Sequence, residues 1–83
     1  MHTPSETEAK SGVLDLRGLK CPLPSLFARR TLARAPRGSS LTVLTDDPMA
    51  SIDIPHMCRQ EGFAVVFVEV SDPVTKIVLR RQD

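Results

Sequence analysis

The patterning of the chain predicts an α/β fold with the element order βαβαββ. Two short runs rich in branched apolar residues, 12–16 (GVLDL) and 41–45 (LTVLT), are each followed by a stretch with helical apolar spacing and proline near its start. The last third holds two more strand-like runs, 63–70 (FAVVFVEV) and 75–81 (TKIVLRR), separated by Ser71-Asp72-Pro73-Val74. Two strands joined through a helix by short loops imply a parallel pair with a right-handed crossover. The final pair implies a hairpin.

After the first strand, Arg17-Gly18 allows a turn into Leu19-Lys20-Cys21-Pro22-Leu23-Pro24. Proline is tolerated in the first turn of a helix because the amides there have no intrahelical partner. The expectation is therefore Cys21 as N-cap, Pro22 and Pro24 in a distorted first turn, and a helix over residues 25–35. Ala28, Thr31, Leu32 and Ala35 fall on its buried stripe, while Arg29, Arg30 and Arg34 lie away from it. Arg37 follows just beyond, and Pro36 with Gly38 ends the helix.

The second strand leads to Asp46-Asp47-Pro48, which reads as an N-cap followed by a helix-start proline. A second helix should run to about Glu61, with Pro55 breaking it into a kink or two pieces and Asp53 recapping the new start. Ile54, Met57 and Cys58 fit its inward side, and Gly62 closes it. In the hairpin, Ile77 and Leu79 should face the helices, with Lys76, Val78 and Arg80 on the other side. Val65 and Phe67 are expected inward, leaving Ala64, Val66 and Val68 on the open side. Glu69 shares the parity of Val65 and argues the other way. With Val78 and Leu44, that open side would form an apolar patch suited to a partner or to a weak homodimer.

Composition excludes several functions. The 83 residues suit one domain with a modest core. Eleven basic residues against ten acidic ones give no nucleic-acid signature. Tryptophan and tyrosine are absent, which disfavours base-stacking platforms. No apolar run is long enough to span a bilayer. Residues 1–11 are polar and read as a disordered tail, leaving 12–83 as the domain. With no export signal, a reducing cytoplasm and free thiols are expected for the two cysteines.

Chemistry concentrates at Cys21. A helix N-terminus favours a thiolate over a thiol, and Lys20 together with the helix arginines should push the same way. A carboxylate such as Asp15 would act in reverse, but it reads more simply as a polar residue on a strand face. The alternative is an inert cysteine packed under the helix start. Cys58 lies at helical spacing with Ile54 and reads as a small core hydrophobe. His56 and Cys58 point to different helix faces, and the chain groups too few ligands for zinc. No cofactor is expected.

Leu14-Asp15, Gly18-Leu19, Cys21-Pro22-Leu23-Pro24, Asp47-Pro48 and Asp53-Ile54-Pro55, in this order and spacing, resemble the TusA-type (SirA-like) sulfur-carrier family. The likeness runs from about Leu14 to the C-terminus. It implies a two-layer sandwich of two helices on a four-stranded mixed sheet, and a carrier whose Cys21 holds a persulfide sulfur. Gly18, Pro22 and Pro24 would support that loop. A cysteine desulfurase or rhodanese would load it, and an acceptor protein would take the sulfur. In members of the family the route ends in 2-thiouridine of tRNA, in molybdenum cofactor work or in sulfur oxidation. Phe63 stands where many members have histidine, and the polar tail is long.

The basic helix, with Lys20, Arg29, Arg30, Arg34 and Arg37, is a candidate docking surface for an acidic partner. Two other readings compete. One is a regulatory interaction module in which Cys21 is redox-sensitive but transfers nothing. The other is a small RNA-binding domain using Arg29, Arg30, Arg34 and Arg37, which the near-neutral charge and scarce aromatics disfavour.

Overall fold

The computed structural model describes residues 12–82; the expected tail, 1–11, lies outside the described residues. Six elements follow the expected order: β1 (Val13–Asp15), α1 (Leu23–Ala33), β2 (Ser40–Thr45), α2 (Ala50–Glu61), β3 (Phe63–Ser71) and β4 (Val74–Arg81). The four strands form one mixed sheet in the order β1-β2-β4-β3. β1 and β2 are parallel, with Leu14 opposite Val43, and β4 runs antiparallel to both β2 and β3. This is the α+β sandwich expected, with both helices on one layer.

Period-two alternation explains the core. Leu41, Val43 and Thr45 of β2 are buried while Ser40, Thr42 and Leu44 between them are not. Leu14, Ile77 and Leu79 join them, and from the helices come Ala28, Leu32, Ile54, Met57 and Cys58. Each fully buried leucine or isoleucine contributes roughly 1.5–3 kcal/mol by leaving water. The predicted stripe Ala28, Thr31, Leu32 and Ala35 is buried throughout. Thr45 is fully buried, and its hydroxyl accepts the Asp47 N–H at 3.3 Å. Arg81 at the end of β4 fastens the end of α1, its Nη1 donating to the carbonyls of Ala33 and Ala35. Gly62 ends α2 with φ 80°, a left-handed conformation that glycine adopts without strain.

Four expectations are corrected. First, Pro22 is the N-cap of α1, so Cys21 lies one residue outside it. Second, α2 starts at Ala50 with Met49 as N-cap, two residues later than Asp47-Pro48 implied. Asp47 there accepts the Met49 N–H at 3.3 Å, closing a turn ahead of the helix. Third, α2 runs unbroken through Pro55. Proline removes one N–H bond, that to the Ser51 carbonyl, while buried Ile54, Met57 and Cys58 hold both halves to the sheet. Asp53 recaps nothing; its N–H donates to the Met49 carbonyl at 2.8 Å.

Fourth, β3 carries a bulge between Val65 and Phe67. Val65 pairs with buried Leu79, but Phe67 pairs with Val78 and Val68 with buried Ile77. One extra residue flips the alternation, so Phe67 joins the open face and Val68 the helix side. This also removes the conflict over Glu69, which now faces outward and pairs with Lys76 at 3.3 Å. Lys76 lies 6.0 Å from the Phe67 ring centre. The open face therefore mixes Leu44, Phe67 and Val78 with Glu69, Lys76 and Arg80, rather than forming the expected apolar sheet.

Candidate functional site

The parallel pairing of β1 and β2 sets two loops side by side at the same end of the sheet. One follows β1 and carries Cys21; the other follows β2 and carries Asp46 and Asp47. The cysteine loop leaves β1 through Gly18, whose φ of 87° turns the chain back. The Gly18 N–H donates to Asp46 Oδ1 at 3.0 Å, and the Cys21 N–H donates to Asp47 Oδ2 at 2.6 Å. The second loop thus clamps the first at two amides. The Cys21–Pro22 peptide bond is cis, and Pro24 is buried in the first turn of α1.

Cys21 is exposed, and its thiol donates to Asp53 Oδ2 at 2.6 Å across from the first turn of α2. That bond holds the proton on sulfur and pushes the thiol above its ordinary pKa, with desolvation and the charges of Asp53 and Asp47 adding to it. This corrects the expectation of a thiolate favoured by the helix mouth, Lys20 and the arginines. Pro22 and Pro24 have no N–H to offer, and the Leu23 N–H already donates to the Lys20 carbonyl at 2.9 Å. Carboxylates, rather than cations, surround the sulfur. Asp15 takes no part; it is bonded to Arg17 at 2.7 Å, which draws its carboxyl down to about 2.

Beside the thiol an open groove of about 340 Å³ separates α1 from α2. Pro22, Leu26 and Arg29 line one wall; Asp53, His56 and Glu61 line the other. Of the expected docking residues, Arg29 alone lines this groove. Lys20 is exposed in the cysteine loop, Arg30 is exposed on α1, Arg34 at its C-cap, and Arg37 in the turn after it. Cys58 is a second free thiol, fully buried in the core, and burial pushes it up to about 11. Asp46, Asp47 and Asp53 are the site residues that reading the sequence as helix caps left out.

A small sandwich that presents one exposed thiol on a clamped loop defines a thiol-bearing carrier or interaction domain. Comparison with known proteins narrows this: residues 12–81 match the family model described as Sulfurtransferase TusA, and the chain belongs to that family. Two relatives from Neisseria meningitidis, of serogroups A and B, are each 40% identical over 72 residues, covering 87% of this chain and 97% of theirs. Their names assign them provisionally as sulfur carriers. The sulfur carrier protein TusA of Buchnera aphidicola is 30% identical over 71 residues, covering 86% of this chain and 90% of its own. The crystal structure of a SirA-like protein from Desulfitobacterium hafniense superposes with a TM-score of 0.73 at 24% identity. It covers 86% of this chain and 97% of that one, and carries the fold alone. Among the described residues, no helix is long and apolar enough to cross a membrane.

Proposed function

We propose that this protein is a sulfur carrier that holds a persulfide on Cys21, in a reducing cytoplasm, between a donor and an acceptor protein. The carrying observation is the exposed thiol on a loop clamped at Gly18 and Cys21, beside an open groove, in a chain of the TusA family. Clamping fixes where the sulfur is presented, and exposure lets a partner's cysteine approach it in line. A cysteine desulfurase or rhodanese supplies the sulfur. Cys21 attacks the outer sulfur of the donor persulfide, the donor's cysteine leaves as a thiolate, and an acceptor thiol later repeats the exchange. Transfer completes with groups the partner brings, because the carboxylates around Cys21 hold the resting thiol protonated. Lys20, Arg29, Arg30, Arg34 and Arg37 form the basic side of the docking surface, steering acidic partners onto it.

Incubation with a cysteine desulfurase and cysteine should add the mass of one sulfur atom, and Cys21→Ser should abolish the gain. A gain that followed Cys58 would reject the assignment. The raised thiol also favours a second reading, a regulatory interaction module that transfers nothing; under it, the desulfurase adds no sulfur at all.

A further inference from the structure

We propose, resting on the persulfide reading of Cys21, that Asp53 biases sulfur exchange at this cysteine towards release. Its carboxylate bonds the bare thiol and repels the anionic sulfur of the loaded state. The Sγ–Oδ2 distance is 2.6 Å, and Asp53 reaches the sulfur from the first turn of α2, where the helix end favours a negative charge. Asp47 holds the Cys21 amide from the loop after β2, and Asp46 holds Gly18 nearby. Lys20 is the cation next to Cys21 in its own loop, while Arg29 and His56 line the groove beside Asp53.

In the unloaded carrier the thiol proton makes a charge-assisted hydrogen bond to Asp53, among the stronger kinds. Loading replaces that proton with sulfur. A persulfide is more acidic than a thiol, so the terminal sulfur is anionic at neutral pH. The same carboxylate then has no donor and faces a like charge. Both changes raise the loaded state relative to the unloaded one.

The release step balances. An acceptor thiol ionises and attacks the outer sulfur of the Cys21 persulfide. A new sulfur–sulfur bond forms on the acceptor, the bond to Sγ breaks, and its electron pair stays on Sγ. The proton lost by the acceptor ends on Sγ, where it is donated to Asp53. Sulfur changes hands with no net oxidation or reduction.

Asp53→Asn keeps the side-chain size and removes the charge. Full-length wild type, loaded with inorganic polysulfide, is mixed with an equal amount of isotope-labelled, unloaded D53N and a trace of a small thiol as shuttle. Intact masses then report where the sulfur rests. It should collect on the variant, roughly three- to tenfold over wild type, a tenfold ratio matching one pKa unit of differential interaction. Unloaded D53N should also react with iodoacetamide at neutral pH about threefold faster or more, since more of its thiol is ionised. A merely structural Asp53 would not speed alkylation. Equal partition, excess sulfur on wild type, or unaccelerated alkylation overturns the proposal. If D53N does not fold, Asp53→Ser takes its place in the same mixture and the same alkylation, and the same outcomes decide. Polysulfide loading needs no protein donor, so failure of the carrier reading shows in the desulfurase experiment and not in this one.

Discussion

Replacing Cys58 by serine separates the two thiols by their energetics. Cys58 is fully buried in the cluster that holds Leu14, Leu32, Ile54, Met57, Ile77 and Leu79. Serine there exchanges a thiol that behaves as a small hydrophobe for a hydroxyl that needs a partner. An unpartnered buried hydroxyl costs about 1–3 kcal/mol. The Ile54 carbonyl, four residues back on α2, offers a weak partner, which favours the lower half of that range. A chain of this length has roughly 4–12 kcal/mol of total stability, so the loss is a sizeable share. For a domain this small, 1 kcal/mol moves the melting midpoint by about 4–8 °C, giving a fall of roughly 5–15 °C. Cys21→Ser, at an exposed loop position, should leave the midpoint close to wild type. Thermal unfolding by circular dichroism measures both, and thiol titration with and without denaturant should show one accessible thiol in the native protein. Melting of Cys58→Ser indistinguishable from wild type, or a Cys58 as reactive as Cys21 in the folded state, would refute the packing argument.

Three further outcomes follow from the same structure. Because burial pushes Cys58 up to about 11, between an ordinary cysteine pKa near ~8.5 and that value the unfolded chain has lost a proton that the folded chain keeps. Stability should therefore fall with rising pH across this window, by about 3 kcal/mol in full, and Cys58→Ala should lose that part of the slope in urea titrations. Gly62→Ala meets no heavy atom within 4 Å but forces a side chain into φ 80°. It should lower stability by about 1 kcal/mol from backbone strain alone, read as a shifted denaturation midpoint. Reversing charge at Arg30 and Arg34 together should slow loading by a cysteine desulfurase about tenfold at low salt, the gap closing as salt screens the field. A slowing independent of salt would remove steering as its cause.

The fold was legible because its signals are local. Strand runs alternate, α1 carries its stripe at helical spacing, and Gly62 with Asp72-Pro73 punctuates where chain direction changes. The bulge between Val65 and Phe67 was visible only as a conflict, since strict alternation puts Glu69 on the same inward face as Val65. Proline's local cost predicts a break at Pro55, whereas the buried residues around it hold the helix whole. The prolines and the family motif single out Cys21 as the candidate position. Its electrostatics were not legible, because Asp47 and Asp53 lie 26 and 32 positions away and act through the fold. The link between them is topological: a parallel β1–β2 pair places the loops after both strands together, and sites in α/β sheets gather at such strand ends. By that rule Asp46 and Asp47, which the sequence offers as caps, become neighbours of the cysteine loop.

The central claim stands on where sulfane sulfur resides in the protein as its own host makes it. Persulfide-trapping mass spectrometry on the purified chain, with and without Cys21, reads this directly. The account predicts an extra sulfur confined to the peptide containing Cys21 and absent from the Cys21→Ser protein; sulfur on Cys58, or on neither cysteine, would contradict it.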